Sequence, residues 1–197
     1  MAGWEDTVAA HKARYRDRII DAAVALVAER GVAGLTMARL AQEAGIGRAT
    51  LYKYFPDVEH VLLAHLVRHL ERQGARLRTA VAAHEEPLDQ LRAYLATLLG
   101  YLAGQEHRGS LAHLGGAGLS QAAMSTLEQH QAQLRDPLEE ILRALRPDRD
   151  ARLLARMVLD LLGPVHEELV SGRMDAEQAL ELAWSLVTGG FTTPPEH

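Results

Sequence analysis

The sequence contains no cysteine, which excludes a disulfide frame, a thiolate-bound zinc and a thiol redox switch. Lysine is nearly absent: of 21 Lys and Arg residues only two, Lys12 and Lys53, are lysine. Aromatic side chains make up 5% of the chain, so any cavity it encloses is lined mainly by Ala and Leu and is largely apolar. No apolar run approaches the roughly 18 residues that a membrane-crossing helix needs, and the opening "MAGWEDTVAAHKARYR" lacks the apolar stretch of a signal peptide. A cytoplasmic location without membrane contact is therefore expected. Neither G-x-S-x-G, nor a Walker loop, nor H-E-x-x-H occurs, and without a catalytic constellation no enzymatic activity and no cofactor are expected. His65 and His69 stand at i and i+4, as zinc ligands do, but no third partner at fixed spacing completes a metal site.

What is present suits a globular chain of one or two domains: 197 residues, 48% hydrophobic and 24% charged. The net charge of −5 is unevenly spread. From His11 to Phe55 eight Lys or Arg face four Asp or Glu, whereas from Pro56 onward thirteen basic residues face twenty acidic ones. A basic head on an acidic body fits nucleic-acid binding by one small unit, which a uniformly acidic surface would oppose.

Alternating patterns are nearly missing, and Ala, Leu, Arg and Glu dominate, so the fold class is all-α. A first long helix is predicted over His11 to Arg30, with Ile19, Ile20, Ala23, Val24, Leu26 and Val27 as its apolar stripe, and Gly31 ends it. Thr36 is a candidate N-cap for a short helix ended by Gly45, and a second short helix occupies about Gly47 to Phe55. Pro56 breaks that helix and Asp57 caps a long one over Val58 to Ala83. Further helices are expected to Gly104, from Ser120 to Arg146 with a kink or division at Pro137, from Ala151 to Val170 and from Ala176 to Thr188. This divides the chain into an N-terminal three-helix domain, 11–57, and a C-terminal helical domain, 58–190.

Two short helices joined by a glycine turn and packed on a preceding long helix make a helix-turn-helix. Leu40, Ala41, Ile46, Leu51 and Phe55 form its buried set, leaving Arg48, Ala49, Tyr52 and Lys53 on the far face. A helix presented in this way fits the major groove of double-stranded DNA. Arg48 can offer a fork to guanine, and Ala49 can approach a thymine methyl. Thr50 can bond a base or phosphate, or its own backbone; Tyr52 and Tyr54 can donate to phosphate, or pack on a neighbouring helix. Lys53 can neutralise a phosphate, and Thr36 can cap its helix and present that helix end to the DNA backbone.

The stretch from Leu35 to Leu62, "LTMARLAQEAGIGRATLYKYFPDVEHVL", resembles the DNA-binding signature of the tetracycline-repressor-like (TetR) family of bacterial regulators, in the frame "LT...LA..AG......LY.YF". The resemblance covers about Arg14 to Leu70. It implies a homodimer with two recognition helices, an effector-binding body of about six helices and repression relieved by a small-molecule effector. Two positions depart from the pattern: Gly47 stands where a polar residue often opens the recognition helix, and Val58 where a Lys or Arg often meets phosphate. Both imply lighter contact with the DNA backbone and a shallower salt dependence.

In the family the last two helices usually form the dimer interface, and here they offer Leu154, Val158, Leu161 and Val165, then Leu180, Trp184 and Val187. Candidates for lining an effector cavity are Tyr94, Tyr101, His107, His113, Met124 and Met157, each of which can equally be plain packing. Two functions follow: a repressor released from a palindromic operator by an effector, or a dimeric DNA-bound scaffold that recruits a protein partner without a ligand.

Overall fold

The structure, a computed structural model, describes residues 4–104 and 120–189. Among these residues it holds eight α-helices, one 3-10 turn and no strand. The helices are α1 (Trp4–Arg30), α2 (Met37–Glu43), α3 (Arg48–Tyr54), α4 (Val58–Ala82), α5 (Pro87–Ala103), α6 (Gln121–Leu145), α7 (Ala151–Ser171) and α8 (Ala176–Val187). The all-α expectation holds. Helix α1 starts seven residues before the predicted His11, because residues 4–10 carry no apolar period to mark them. Among the described residues no helix is long and apolar enough to cross a membrane.

The residues pack as two compact units, 4–68 with 120–127 and 69–104 with 128–189. Each has its own apolar core. In the first, Ile19, Ala23 and Leu26 of α1 meet Leu40 and Ala41 of α2, Leu51 of α3, Phe55 just past the end of α3, and Val61 of α4. The apolar stripe read from α1 is therefore its inner face, apart from Val24, which is exposed. In the second, Leu91, Leu95 and Leu99 of α5 pack with Leu138 and Leu142 of α6, Val158 and Leu162 of α7, and Ala179 and Ala183 of α8.

Local chemistry sets the boundaries. Asp150 accepts from the N–H groups of Arg152 and Leu153 to cap α7, and Asp175 forms a reciprocal capping box with Gln178 at the start of α8. Ser120 accepts from the N–H of Ala123, and its own N–H donates to Glu59 Oε1 at 2.6 Å. Helix α6 is neither ended nor divided at Pro137. The helix continues past the proline because Leu138, Ile141 and Leu142, just beyond it, are buried in the core.

Candidate nucleic-acid interface

Helix α2 begins at Thr36, whose Oγ1 accepts from the N–H of Arg39 at 3.3 Å. It ends in a tight turn: the N–H of Gly45 donates to Gln42 and that of Ile46 to Ala41. Gly45 has φ 61°, the left-handed region that costs a residue with a Cβ about 1–2 kcal/mol. A Cβ there would also lie 2.7 Å from a guanidinium nitrogen of Arg18, though that flexible end can move away. Gly45→Ala is accordingly expected to lower the stability of this unit by about 1 to 2 kcal/mol, read as a fall in urea midpoint.

Gly47 differs from Gly45. Its backbone is ordinary extended chain, φ −67° and ψ 145°, and an added Cβ would meet nothing closer than Thr50 Oγ1 at 3.9 Å. Neither space nor strain demands a glycine here. It is the N-cap of α3 and supplies no side-chain cap, while its carbonyl accepts from Thr50 and Leu51. At the other end Asp57 accepts from the N–H and ring of His60, at 2.9 and 2.8 Å, to start α4. Those bonds hold its carboxyl below the usual carboxylate range. Val58 packs against the apolar core.

Leu51 of α3 and Phe55, the cap at its end, face inward, as do Leu40 and Ala41 of α2. Ile46 is half-buried against them. Thr36, Gly47, Arg48, Ala49, Tyr52 and Lys53 are all exposed, with Tyr52 at 55%. Thr50 and Tyr54 are half-buried. The ring of Tyr54 lies parallel to that of Tyr15 on α1, centroids 5.6 Å apart, and packs on the core. Here packing on a neighbouring helix is what the structure shows.

Residues of α1 that the sequence reading passed over border this face. Arg16 lies over the Phe55 ring, 4.5 Å from its centroid, and donates to the carbonyl of Tyr54. His11, Lys12, Tyr15 and Arg16 on one side and Thr50, Lys53 and Tyr54 on the other bound an open cleft of about 570 Å³. Their spacing was a usable signal, since 11/15 and 12/16 are i, i+4 pairs that place all four on one side of α1. Two carboxylates of α1 are engaged elsewhere: Arg68 on α4 donates to Asp17 at 3.0 Å and Asp21 at 2.6 Å.

This geometry coincides with a match to a known family. Residues 19–64 match the N-terminal model of the bacterial regulatory proteins of the tetR family. The tetR-type match thus lies in the N-terminal segment that carries the helix-turn-helix. An uncharacterised helix-turn-helix transcriptional regulator of Mycobacterium tuberculosis is 35% identical over 99 residues, 50% of this chain and 49% of its own length. The chain spans about half the length of the curated relatives it matches. Likeness of fold extends further. The fatty acid degradation regulator FadR of Bacillus halodurans superposes with a TM-score of 0.74 at 21% identity, over 91% of this chain and 97% of that one. FadR of Bacillus subtilis, solved in complex with stearoyl-CoA, superposes with a TM-score of 0.68 at 21% identity, over 85% and 97%.

Of the residues expected to line an effector cavity, Tyr94, Tyr101, Met124 and Met157 are among the described ones. Tyr94 is fully buried and its hydroxyl donates to the carbonyl of Leu134 at 2.9 Å. Tyr101 is half-buried and shares a hydrogen bond with His69. Met124 belongs to the first unit and is 41% exposed; Met157 is 46% exposed, on the side of α7 away from Ala155, Val158 and Leu162. Both methionines stand at the surface of the single chain. His107 and His113 lie outside the described residues.

The residues expected at the dimer interface fall into two groups. Val158, Val165 and Val187 are buried in the chain's own core, and Leu154, Leu161, Leu180 and Trp184 are half-buried. The exposed large apolar residues of α7 and α8 are Leu153, Met157, Val170, Leu182 and Leu186. Both helices are apolar on two sides, so spacing alone could not tell the inner stripe from the outer one.

Proposed function

We propose that this chain is a transcriptional repressor that binds a palindromic DNA operator as a homodimer and is released by a small, largely apolar effector. The observation that carries this reading is the outward face of α3. Arg48, Ala49, Tyr52 and Lys53 are exposed together on a helix whose other side is pinned by Leu51 and Phe55. Arg48 is assigned to base edges and Lys53 and Tyr52 to phosphate, with Thr36 presenting the start of α2 to the backbone. Tyr54, stacked on Tyr15, supports the position of α3 with its ring.

On this reading residues 11–57 bind DNA and 58–190 serve effector and partner copy. The outward Leu153, Met157, Leu182 and Leu186 supply an apolar face to pair α7 and α8 with those of a second copy. Two copies would set their recognition helices about 34–36 Å apart, one turn of DNA. An effector acts by favouring a dimer whose heads are spaced wrongly for the operator, which requires only different affinities for the two states. Stearoyl-CoA is the first effector to try, since a solved chain of this fold holds it.

The test uses duplex fragments selected by binding from the genome that encodes the protein. Arg48→Ala is expected to weaken binding to a selected fragment by about 1 to 3 kcal/mol and to relax sequence preference, measured by fluorescence anisotropy against a scrambled duplex. Unchanged affinity and preference would remove Arg48 from the interface. Release of the fragment on adding an effector distinguishes a sensor from a ligand-free scaffold.

A further inference from the structure

We propose that the cleft between α1 and α3 seats backbone phosphates of duplex DNA, so that the DNA footprint includes residues 11–16 of α1 and not only the helix-turn-helix. The inference rests on the DNA-binding reading above. It concerns residues outside the matched family segment, which begins at residue 19, while the α1 side of the cleft is formed by residues 11–16.

Three observations converge on a phosphodiester. First, the cleft contains cations and no carboxylate. Lys12, Arg16 and Lys53 line it together with His11, and among the described residues none of the three cations forms an ion pair with an acid. The two carboxylates that follow on α1, Asp17 and Asp21, are both held by Arg68, so they do not neutralise the cleft. Second, the remaining polar groups are the hydroxyls of Tyr15, Thr50 and Tyr54, which can donate to phosphate oxygens. Third, the only two lysines of the whole chain stand on opposite sides of this one cleft. Arginine serves every other cationic position. A lysine ammonium is a compact charge with rotatable donors and suits a phosphate approached from changing directions, where a guanidinium prefers a planar fork.

Geometry favours DNA over a free anion. Lys12 and Lys53 are exposed, so one small ion held there would be strongly screened by water and salt. A duplex lays down a row of phosphates at fixed spacing and gains from releasing its condensed counterions at each contact. Lys53 lies on the same helix as Arg48, so a strand read by one continues past the other. Arg16, fixed against Phe55 and the Tyr54 carbonyl, sets the inner wall.

The experiment exploits the lysine count. Reductive dimethylation with ¹³C-formaldehyde keeps the positive charge and labels the two lysine side chains and the α-amino group of this chain. Both side-chain resonances are expected to shift on adding a non-operator duplex. Lys12→Ala is expected to reduce the slope of log K against log salt by about one per bound chain and to weaken binding at 0.1 M salt roughly eightfold, while Lys12→Arg restores both. The proposal is overturned if the unmodified protein binds DNA but Lys12→Ala leaves the slope unchanged, or if the Lys12 resonance moves with tripolyphosphate and not with duplex. The latter result would make the cleft a free-polyphosphate site. Absence of DNA binding by the unmodified protein would instead overturn the repressor reading itself.

Discussion

Phe55→Ala is expected to unfold the helix-turn-helix unit at temperatures where the second unit remains intact. Phe55 is 2% exposed and closes the small core made by Ile19, Leu40, Leu51 and Val61. Truncating a buried aromatic ring costs about 3 to 5 kcal/mol, a large share of the stability of any small domain. The same change removes the surface under Arg16, whose guanidinium lies 4.5 Å above the ring. Circular dichroism during heating should therefore show an early helical loss and a late one, with DNA binding lost in the first. Phe55→Leu should restore most of the stability, since it refills the core. A single unshifted transition for Phe55→Ala would show that the ring does not hold this unit together.

Tyr94→Ala is the matching change in the second core, expected at about 3 to 5 kcal/mol for the same reason. Tyr94→Phe separates packing from polarity. It keeps the ring and leaves the Leu134 carbonyl without its phenol donor, a loss of about 1 to 2 kcal/mol. Burial pushes the Tyr94 phenol well above its ordinary value, because an ionised oxygen in that core would have no water around it. The sign follows from linkage. The unfolded chain loses this proton near pH 10 and the folded chain holds it higher, so the stabilisation is complete below pH 10 and falls as pH rises above it. The fall is about 1.4 kcal/mol per pH unit for this one group. Urea midpoints at pH 9 and pH 11 should show that part of the decline in the wild type and not in Tyr94→Phe. An identical decline in both would exclude Tyr94 as its source.

Much of this architecture was legible because its signals are local. Thr36, Asp57, Ser120, Asp150 and Asp175 cap the helices by bonds that span two or three residues, and such bonds are written in neighbouring letters. The split of α3 into a buried side, Leu51 and Phe55, and an exposed side, Arg48, Ala49, Tyr52 and Lys53, follows from helical period alone. Where several helices compete for the same residues, the letters do not decide. Pro137 reads as a break until Leu138, Ile141 and Leu142 are seen buried beyond it. Val158 and Met157 are neighbours in sequence and both apolar, yet one is fully buried and the other nearly half exposed. That choice depends on where α5 and α8 sit against α7, which no single helix encodes. Tyr54 is a further case, since its partner Tyr15 lies 39 positions earlier on another helix.

The two separate cores also have a genetic meaning. Core residues of the helix-turn-helix unit and those of the second unit share no members, so damage to one leaves the other's packing in place. In a homodimer of the kind proposed, a chain with a ruined Phe55 core would still present Leu153, Met157, Leu182 and Leu186 to an intact copy. The mixed pair would own one working head where the operator needs two. Mutations in the first core would then be dominant over the normal allele, and mutations that spoil the outer face of α7 and α8 would be recessive.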